Sequence, residues 1–230
     1  MTLGVSGMLW RDALIMFDRE TRSLWSQVLG RAVAGPLEGE RLDEIPSEMT
    51  TWGEWRRRHP HTLVLARPAN IRGSAYDRYF QDPDMIGVRG TRNPDRRLPG
   101  KAMVVGMELE DGSVALPLEE LERTPVFNGD ARGVPIVAFS PPGDTAVHVF
   151  RRDVGERRLR FTGEMVDGEL RVKDGATGSS WHWQTGRCLD GPCPARSLER
   201  VQVRPVYWGI WAQYHPGSAI AGQDDDGGDG

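Results

Sequence analysis

The residues of this chain that could do chemistry come in matched sets. Two phrases, TTWGEWRRRHP at Thr50–Pro60 and VYWGIWAQYHP at Val206–Pro216, share the spacing W-G-x-W-x-x-x-H-P. They put His59 and His215 at equivalent points. Two imidazoles facing each other across a cleft could bind a metal or shuttle protons. A histidine at a helix end also has a local use, because it interacts with the helix dipole and can bond the terminal carbonyls. A metal site needs three or four ligands, and the chain offers only His59, His61, His148, His182 and His215 as histidines. The helix-end role is the preferred reading of the pair.

Tryptophan and the charged residues recur in the same way. Trp25, Trp52 and Trp55 correspond to Trp181, Trp208 and Trp211. A Trp-lined groove could hold a sugar or a cation, but paired aromatics at helical spacing predict the core of a β unit with the indole N–H bonded. Trp10 and Trp183 fall outside the matched set and are the better candidates for a ligand surface. Asp18 with Arg31, and Asp174 with Arg187, could each be a catalytic acid with an anion clamp. They could equally be a turn aspartate and an arginine tying strands together. Nothing places two carboxylates at catalytic separation, which favours the second reading. His59, His215, Trp10, Trp183, Arg31 and Arg187 are therefore the candidate ligand-binding residues. No catalytic residue, metal-ligand set or cofactor is assigned.

Cys188 and Cys193, in GRCLDGPCPAR, align with Ala32 and Leu37, so the fold does not require sulfur there. A metal pair would need two further ligands, and a local disulfide would need an oxidising compartment. The preferred reading is two small apolar substitutes near a hairpin. Ser6, between glycines in GVSG, has no positioned base, which leaves a nucleophile reading weak. The chain has no P-loop, no G-x-G-x-x-G after a strand, no G-x-S-x-G elbow and no H-E-x-x-H.

The elements that must position these residues follow from one offset, 156 residues, which carries Trp52 to Trp208. The same shift matches Gly7/Gly163, Thr21/Thr177, Ser23/Ser179, Gly30/Gly186, Gly35/Gly191, Pro36/Pro192 and Leu42/Leu198. The match runs without a gap over about sixty positions, which predicts two copies of a domain-sized unit rather than a solenoid. Each copy opens with period-2 material, LIMFDRETRSLW and LRVKDGATGSSW, predicting two strands around a polar turn. A Gly/Pro turn leads to a short strand near Leu42 or Leu198, and the repeated phrase then forms a short helix. Thr51-Trp-Gly-Glu54 fits a capping box, and Pro60 ends the helix at His59. The second copy has upstream strands in VPIVAFSPPGDTAVHVFRR (Val134–Arg152). The first copy lacks their counterpart, roughly 23 residues by this alignment, and an open sheet edge of that kind invites another chain. The expectation is an N-terminally incomplete first repeat.

Between the copies, 67–97 reads as an ordered but irregular crossing segment. AMVVGMELEDGSVALPL reads as a hairpin turning at Asp111-Gly112, and LEELER as one helical turn. The tail GQDDDGGDG reads as a disordered acidic end.

Composition bounds the rest. The chain has 230 residues, 29 Lys and Arg against 33 Asp and Glu, and a net charge of −4. Its basic residues are scattered, apart from short Arg runs, which argues against nucleic acid as a partner. No apolar run approaches the ~18–20 residues of a membrane span, and the mixed, strand-like sequence after Met1 does not read as a signal peptide.

The long segments GVSGMLWRDALIMFDRETRSLWSQ, GPLEGERLDEIPSEMTTWGEWRRRHPHT, RLPGKAMVVGMEL and TGSSWHWQTGR closely resemble the family called domain of unknown function 3179. The resemblance covers nearly the whole chain. It implies an uncharacterised prokaryotic protein, often exported or lipid-anchored in longer members. Such members commonly carry a C-P-x-C-like turn upstream of the G-x-S-G segment, whereas the matching turn here, Ser140–Gly143, has no thiol.

The expected fold is α+β and mainly β, with two homologous small β units, each with a short Trp-rich helix, in a pseudo-twofold duplication. The expected organisation is a first repeat over 1–66, a connector with a β-hairpin over 67–132, a second repeat over 133–220 and the tail over 221–230. The expected function is a non-catalytic binding or structural module with a cleft between the repeats, taking a small ligand or a protein partner. Self-association through the open sheet edge is the alternative partner. The rival is a redox or metal-dependent enzyme whose thiol motif lies upstream of the given start. The chain reads as cytoplasmic as it stands and as exported if its N-terminus is truncated.

Overall fold

The computed structural model describes residues 1–66 and 76–223. In chain order the first strands are β1 (Leu3–Trp10), β2 (Ala13–Asp18), β3 (Leu24–Ser26) and β4 (Arg31–Ala34), followed by helices α1 (Trp52–Arg58) and α2 (Asp77–Gln81). Next come β5 (Met103–Leu109), β6 (Gly112–Pro117), α3 (Leu118–Arg123), β7 (Val126–Ala131), β8 (Val134–Phe139) and β9 (His148–Arg151). Then follow β10 (Asp153–Val154), β11 (Arg157–Arg158), β12 (Phe161–Val166), β13 (Glu169–Asp174), β14 (Ser180–Trp181) and β15 (Cys188–Asp190). The chain closes with β16 (Arg200–Val201), β17 (Arg204–Tyr207), α4 (Trp208–Tyr214) and β18 (Ala219–Ile220). The fold is β-rich with few and short helices, as the sequence predicts.

The chain forms two compact units. The first comprises Met1–Pro46, Arg72–Ala102 and Val206–Gly217; the second comprises Ser47–Ile71, Met103–Pro205 and Ser218–Gly230. Helix α1 thus belongs to the second unit and α4 to the first, a division the sequence-based boundaries do not anticipate.

In the first unit, β1–β4 make an antiparallel meander. Its polar turn is organised by Asp18, which accepts hydrogen bonds from the Thr21 backbone, the Ser23 backbone (3.1 Å) and the indole Nε1 of Trp25 (3.0 Å). Burial would raise the Asp18 pKa, but these bonds, the Trp25 bond foremost, outweigh it and hold the carboxyl well below the usual range. Ser6 sits at a bulge of β1, where its hydroxyl donates to the Ile15 carbonyl and accepts from the Met8 N–H. That is a local backbone role.

Helix α4 is the buried element of this unit. Leu29, Ile86, Ile210 and Tyr214 form its apolar centre, with Trp10 packed against them. The irregular segment ahead of β5 supplies acceptors: Trp208 N–H bonds Ala102 O (2.8 Å), Gly209 N–H bonds Gly100 O (2.9 Å) and Trp208 Nε1 bonds Asp95 O (2.9 Å). A Cβ on Gly209 would lie 2.4 Å from Ile86 Cγ2, so close packing requires glycine there.

In the second unit, β12–β15 repeat the meander order. Alternation along β13 buries Leu170, Val172 and Asp174 and exposes Glu169, Arg171 and Lys173. Asp174 accepts from Trp181 Nε1 (2.9 Å) and from Thr177, and these bonds overcome burial to lower its pKa. The sheets β16-β9-β8-β7 and β17-β5-β6-β18 supply the rest of the core. The hairpin β5–β6 turns at Glu110-Asp111, with Leu109 paired to Gly112, one residue earlier than expected. LEELER is helical as α3.

Element bounds shifted by 156 residues coincide for β2 with β13 and for α1 with α4. Both helices end alike, at His59 (φ −129°, ψ 69°) and His215 (φ −128°, ψ 68°). Their surroundings differ, which corrects the expectation that every matched Trp is core. Trp208 and Trp211 are fully buried, whereas Trp52 is 48% exposed, Trp55 is half-buried, and α1 buries no residue. The expected crossing segment contains α2, and its part over 67–75 lies outside the described residues, as does 224–230 of the tail.

Candidate functional site

The second unit holds a network that links sequence-distant charges. Thr51 caps α1 by accepting from the Glu54 N–H (3.2 Å), while Glu54 pairs with Arg57 instead of reaching back. That short helix places Arg58 at its end. Arg58 Nη2 lies 3.1 Å from Glu48 Oε1 and 3.4 Å from Asp144 Oδ2, and donates to Thr50 Oγ1 at 3.0 Å. Thr50 in turn donates to Asp144 Oδ1 (2.7 Å), and Thr145 donates to the Met49 carbonyl (3.0 Å). Polar contacts therefore tie the α1 segment to the loop between β8 and β9.

Glu48 extends the network to His148. His148 Nε2 is 2.9 Å from Glu48 Oε2, and His148 Nδ1 is 2.9 Å from Arg200 Nη1. A guanidinium only donates, so Nδ1 must be an acceptor and Nε2 must carry the proton given to Glu48. His148 is consequently neutral. Burial is the main cause that lowers its pKa, aided by Arg200 and opposed by Glu48.

Trp183 joins this network to a cavity. Its ring centroid is 5.3 Å from that of His148 and 5.9 Å from the Arg58 guanidinium carbon. Arg58 Nε and Nη1 are buried without hydrogen-bond partners, so part of this cation meets an aromatic ring rather than oxygen atoms. Arg58, Asp144, Trp183 and Gln184 line a hollow of about 1000 Å³ that runs over the outer face of β13. Its basic side chains Arg57, Arg58, Arg171 and Lys173 are matched by the acidic Asp144, Glu164, Asp167 and Glu169.

The other predicted residues lie elsewhere. His59 lies tilted against Trp55 (4.1 Å between centroids, 36° between planes) in the second unit, and His215 stacks on Trp211 (3.8 Å) in the first. Trp10 packs edge-on to Tyr214 at 5.3 Å, with Arg11 over its ring at 4.9 Å. Arg31 and Arg187 are exposed beside the isolated bridges to Arg41 and Ser197. Only Trp183 of the six reaches the network. Sequence reading missed Glu48, Asp144, His148 and Arg200 as a group, since nothing in their spacing announces it. Cys188 and Cys193 form a disulfide, which replaces their reading as apolar substitutes. Among the described residues no three His, Cys, Asp or Glu side chains are grouped to hold a metal, and no helix is long and apolar enough to cross a membrane.

No curated protein and no solved structure gives a match to this chain. The family model described as "Protein of unknown function (DUF3179)" matches residues 1–218, and the chain belongs to that family.

Proposed function

We propose that the chain is a non-catalytic binding module made of two copies of one β unit, and that its ligand seat is the cavity beside Trp183. The observation that carries the reading is Trp183 itself, half-buried on the wall of a hollow whose charges balance. An indole face bounded by donors and acceptors of both signs suits a neutral, hydroxyl-rich ligand of sugar size, because it offers apolar contact and many hydrogen bonds without net charge. The duplication is supported by the coincident bounds of β2 with β13 and α1 with α4, and by the twin Asp–Trp bonds. A protein partner at the β1 edge, where Val5, Met8 and Leu9 are exposed, is the second reading.

The test is a titration of the full chain with cellobiose and with N,N′-diacetylchitobiose, followed by amide NMR. The expected result is shifts confined to Glu164–Lys173 and Ser180–Gln184 that Trp183→Ala removes. No shift with either sugar, or shifts that survive Trp183→Ala, overturns the proposal.

A further inference from the structure

We propose that the Cys188–Cys193 disulfide is an exchange site for an external dithiol rather than a brace for its own turn. The bond spans Leu189-Asp190-Gly191-Pro192, with the two Cα atoms 6.1 Å apart.

The first unit contains the same turn without sulfur. Ala32 stands where Cys188 does and Leu37 where Cys193 does. The turn closes on the same backbone bonds: Ala32 N–H to Glu40 O (2.9 Å) corresponds to Cys188 N–H to Arg196 O (3.0 Å). Leu42 N–H to Gly30 O (2.8 Å) corresponds to Leu198 N–H to Gly186 O (2.9 Å). Gly35 (φ +100°) and Gly191 (φ +98°) take the same left-handed conformation, each packed against a serine twelve residues earlier, Ser23 or Ser179. Hydrogen bonds and a glycine therefore suffice to shape this turn, and the disulfide adds something other than shape.

Its surroundings favour exchange. Cys193 is exposed, while Cys188 is half-buried against the core. Both line an open surface hollow with Arg187 and Arg196, and Leu189 beside them is 52% exposed. Positive charge from Arg187 and Arg196 on the lining of the same hollow favours a departing thiolate, which makes either cysteine a better leaving group. The accessible apolar Leu189 gives a protein dithiol a surface to rest on.

The reaction balances as follows. A thiolate of the dithiol attacks Cys193 Sγ; the S–S bond breaks and its electron pair leaves on Cys188 Sγ, which takes up a proton. The second thiol, on losing its proton, attacks the partner's own sulfur in the mixed disulfide. Cys193 leaves as thiolate and is protonated. The chain's pair is reduced to two thiols, and the dithiol is oxidised to its disulfide. The site shares Leu189 with the lining of the Trp183 cavity but neither cysteine nor either arginine, so the failure of exchange would leave the binding reading untouched.

The test uses the full oxidised chain, with dithiothreitol as the dithiol, acid quenching, alkylation and mass spectrometry. Native reduction is expected within about tenfold of the rate for the unfolded chain, as access governs exchange; a native rate slower than that overturns the proposal. The double variant Cys188→Ala/Cys193→Leu recreates the first unit's turn. It is expected to keep Tm within about 3 °C of the parent, and a larger fall assigns the bond to stability and overturns the proposal. A monothiol adduct trapped on the wild-type chain is expected on Cys193; an adduct on Cys188 overturns the assigned direction of attack.

Discussion

His148 accepts a hydrogen bond from Arg200 at 2.9 Å, and that contact makes the imidazole neutral in the folded chain. Its folded pKa lies below the unfolded value, chiefly through burial. The unfolded chain therefore binds a proton first as the pH falls. The stabilisation is complete above the unfolded pKa of about 6.5 and is lost progressively below it. His148→Gln keeps an acceptor for Arg200 and a donor for Glu48 but cannot take the proton. Its Tm is expected to be flatter than that of the parent between about pH 6.5 and 5, by calorimetry across that range.

A second loss of stability is expected at lower pH. Asp18 and Asp174 have folded pKa values held below the unfolded value by indole and backbone hydrogen bonds. They stabilise above the unfolded pKa of about 3.9, and that contribution drains away as the pH falls toward their folded values. Asp174→Ala would also leave the buried Trp181 Nε1 without its acceptor, at about 1–3 kcal/mol. Urea unfolding at pH 7 reads that cost, and the variant's stability should fall less than the parent's below about pH 4.

Glycine substitutions separate the two helices. Gly209 faces Ile86 at a distance that admits no Cβ, whereas a Cβ on Gly53 would meet only Thr51 Oγ1, at 3.9 Å. Gly209→Ala is expected to cost about 1–3 kcal/mol by overpacking. Gly53→Ala should stabilise by about 0.5–1 kcal/mol through helix propensity. Opposite shifts in Tm check the pair together.

Arg58 holds the α1 segment through its ion pairs to Glu48 and Asp144. Arg58→Ala removes the cation from two largely buried carboxylates and is expected to cost about 3 kcal/mol. Hydrogen exchange should show amide protection lost first over Thr50–Arg58. Uniform loss across the second unit would instead give Arg58 a global role.

Local features were legible in the sequence where neighbours along the chain decide them. The spacing of W-G-x-W-x-x-x-H-P, with Pro60 and Pro216, gave both helices, and Thr51 gave the cap. Alternation gave β13, and the polar stretch between the two period-2 segments of each copy gave the turns. Burial was not legible, because Trp52 and Trp208 share one motif but meet different surroundings, and only the latter has the Asp95–Ala102 segment over it. The Glu48–His148–Arg200 link was also hidden, since its members lie 100 and 52 residues apart along the chain. Nothing in local periodicity pairs residues across such distances.

The assignment of α4 to the first unit has a consequence for biosynthesis. That unit needs Val206–Gly217 to bury Ile86, Leu29 and Trp10. Its sheet leaves the ribosome early, but the segment that covers it is complete only at Gly217, 171 residues after Pro46. At about 5–20 residues per second, translation leaves this apolar surface waiting for roughly ten to thirty seconds. The first unit therefore finishes folding only after Val206–Gly217 has emerged, and a nascent chain stalled before Val206 would present a standing target for chaperones.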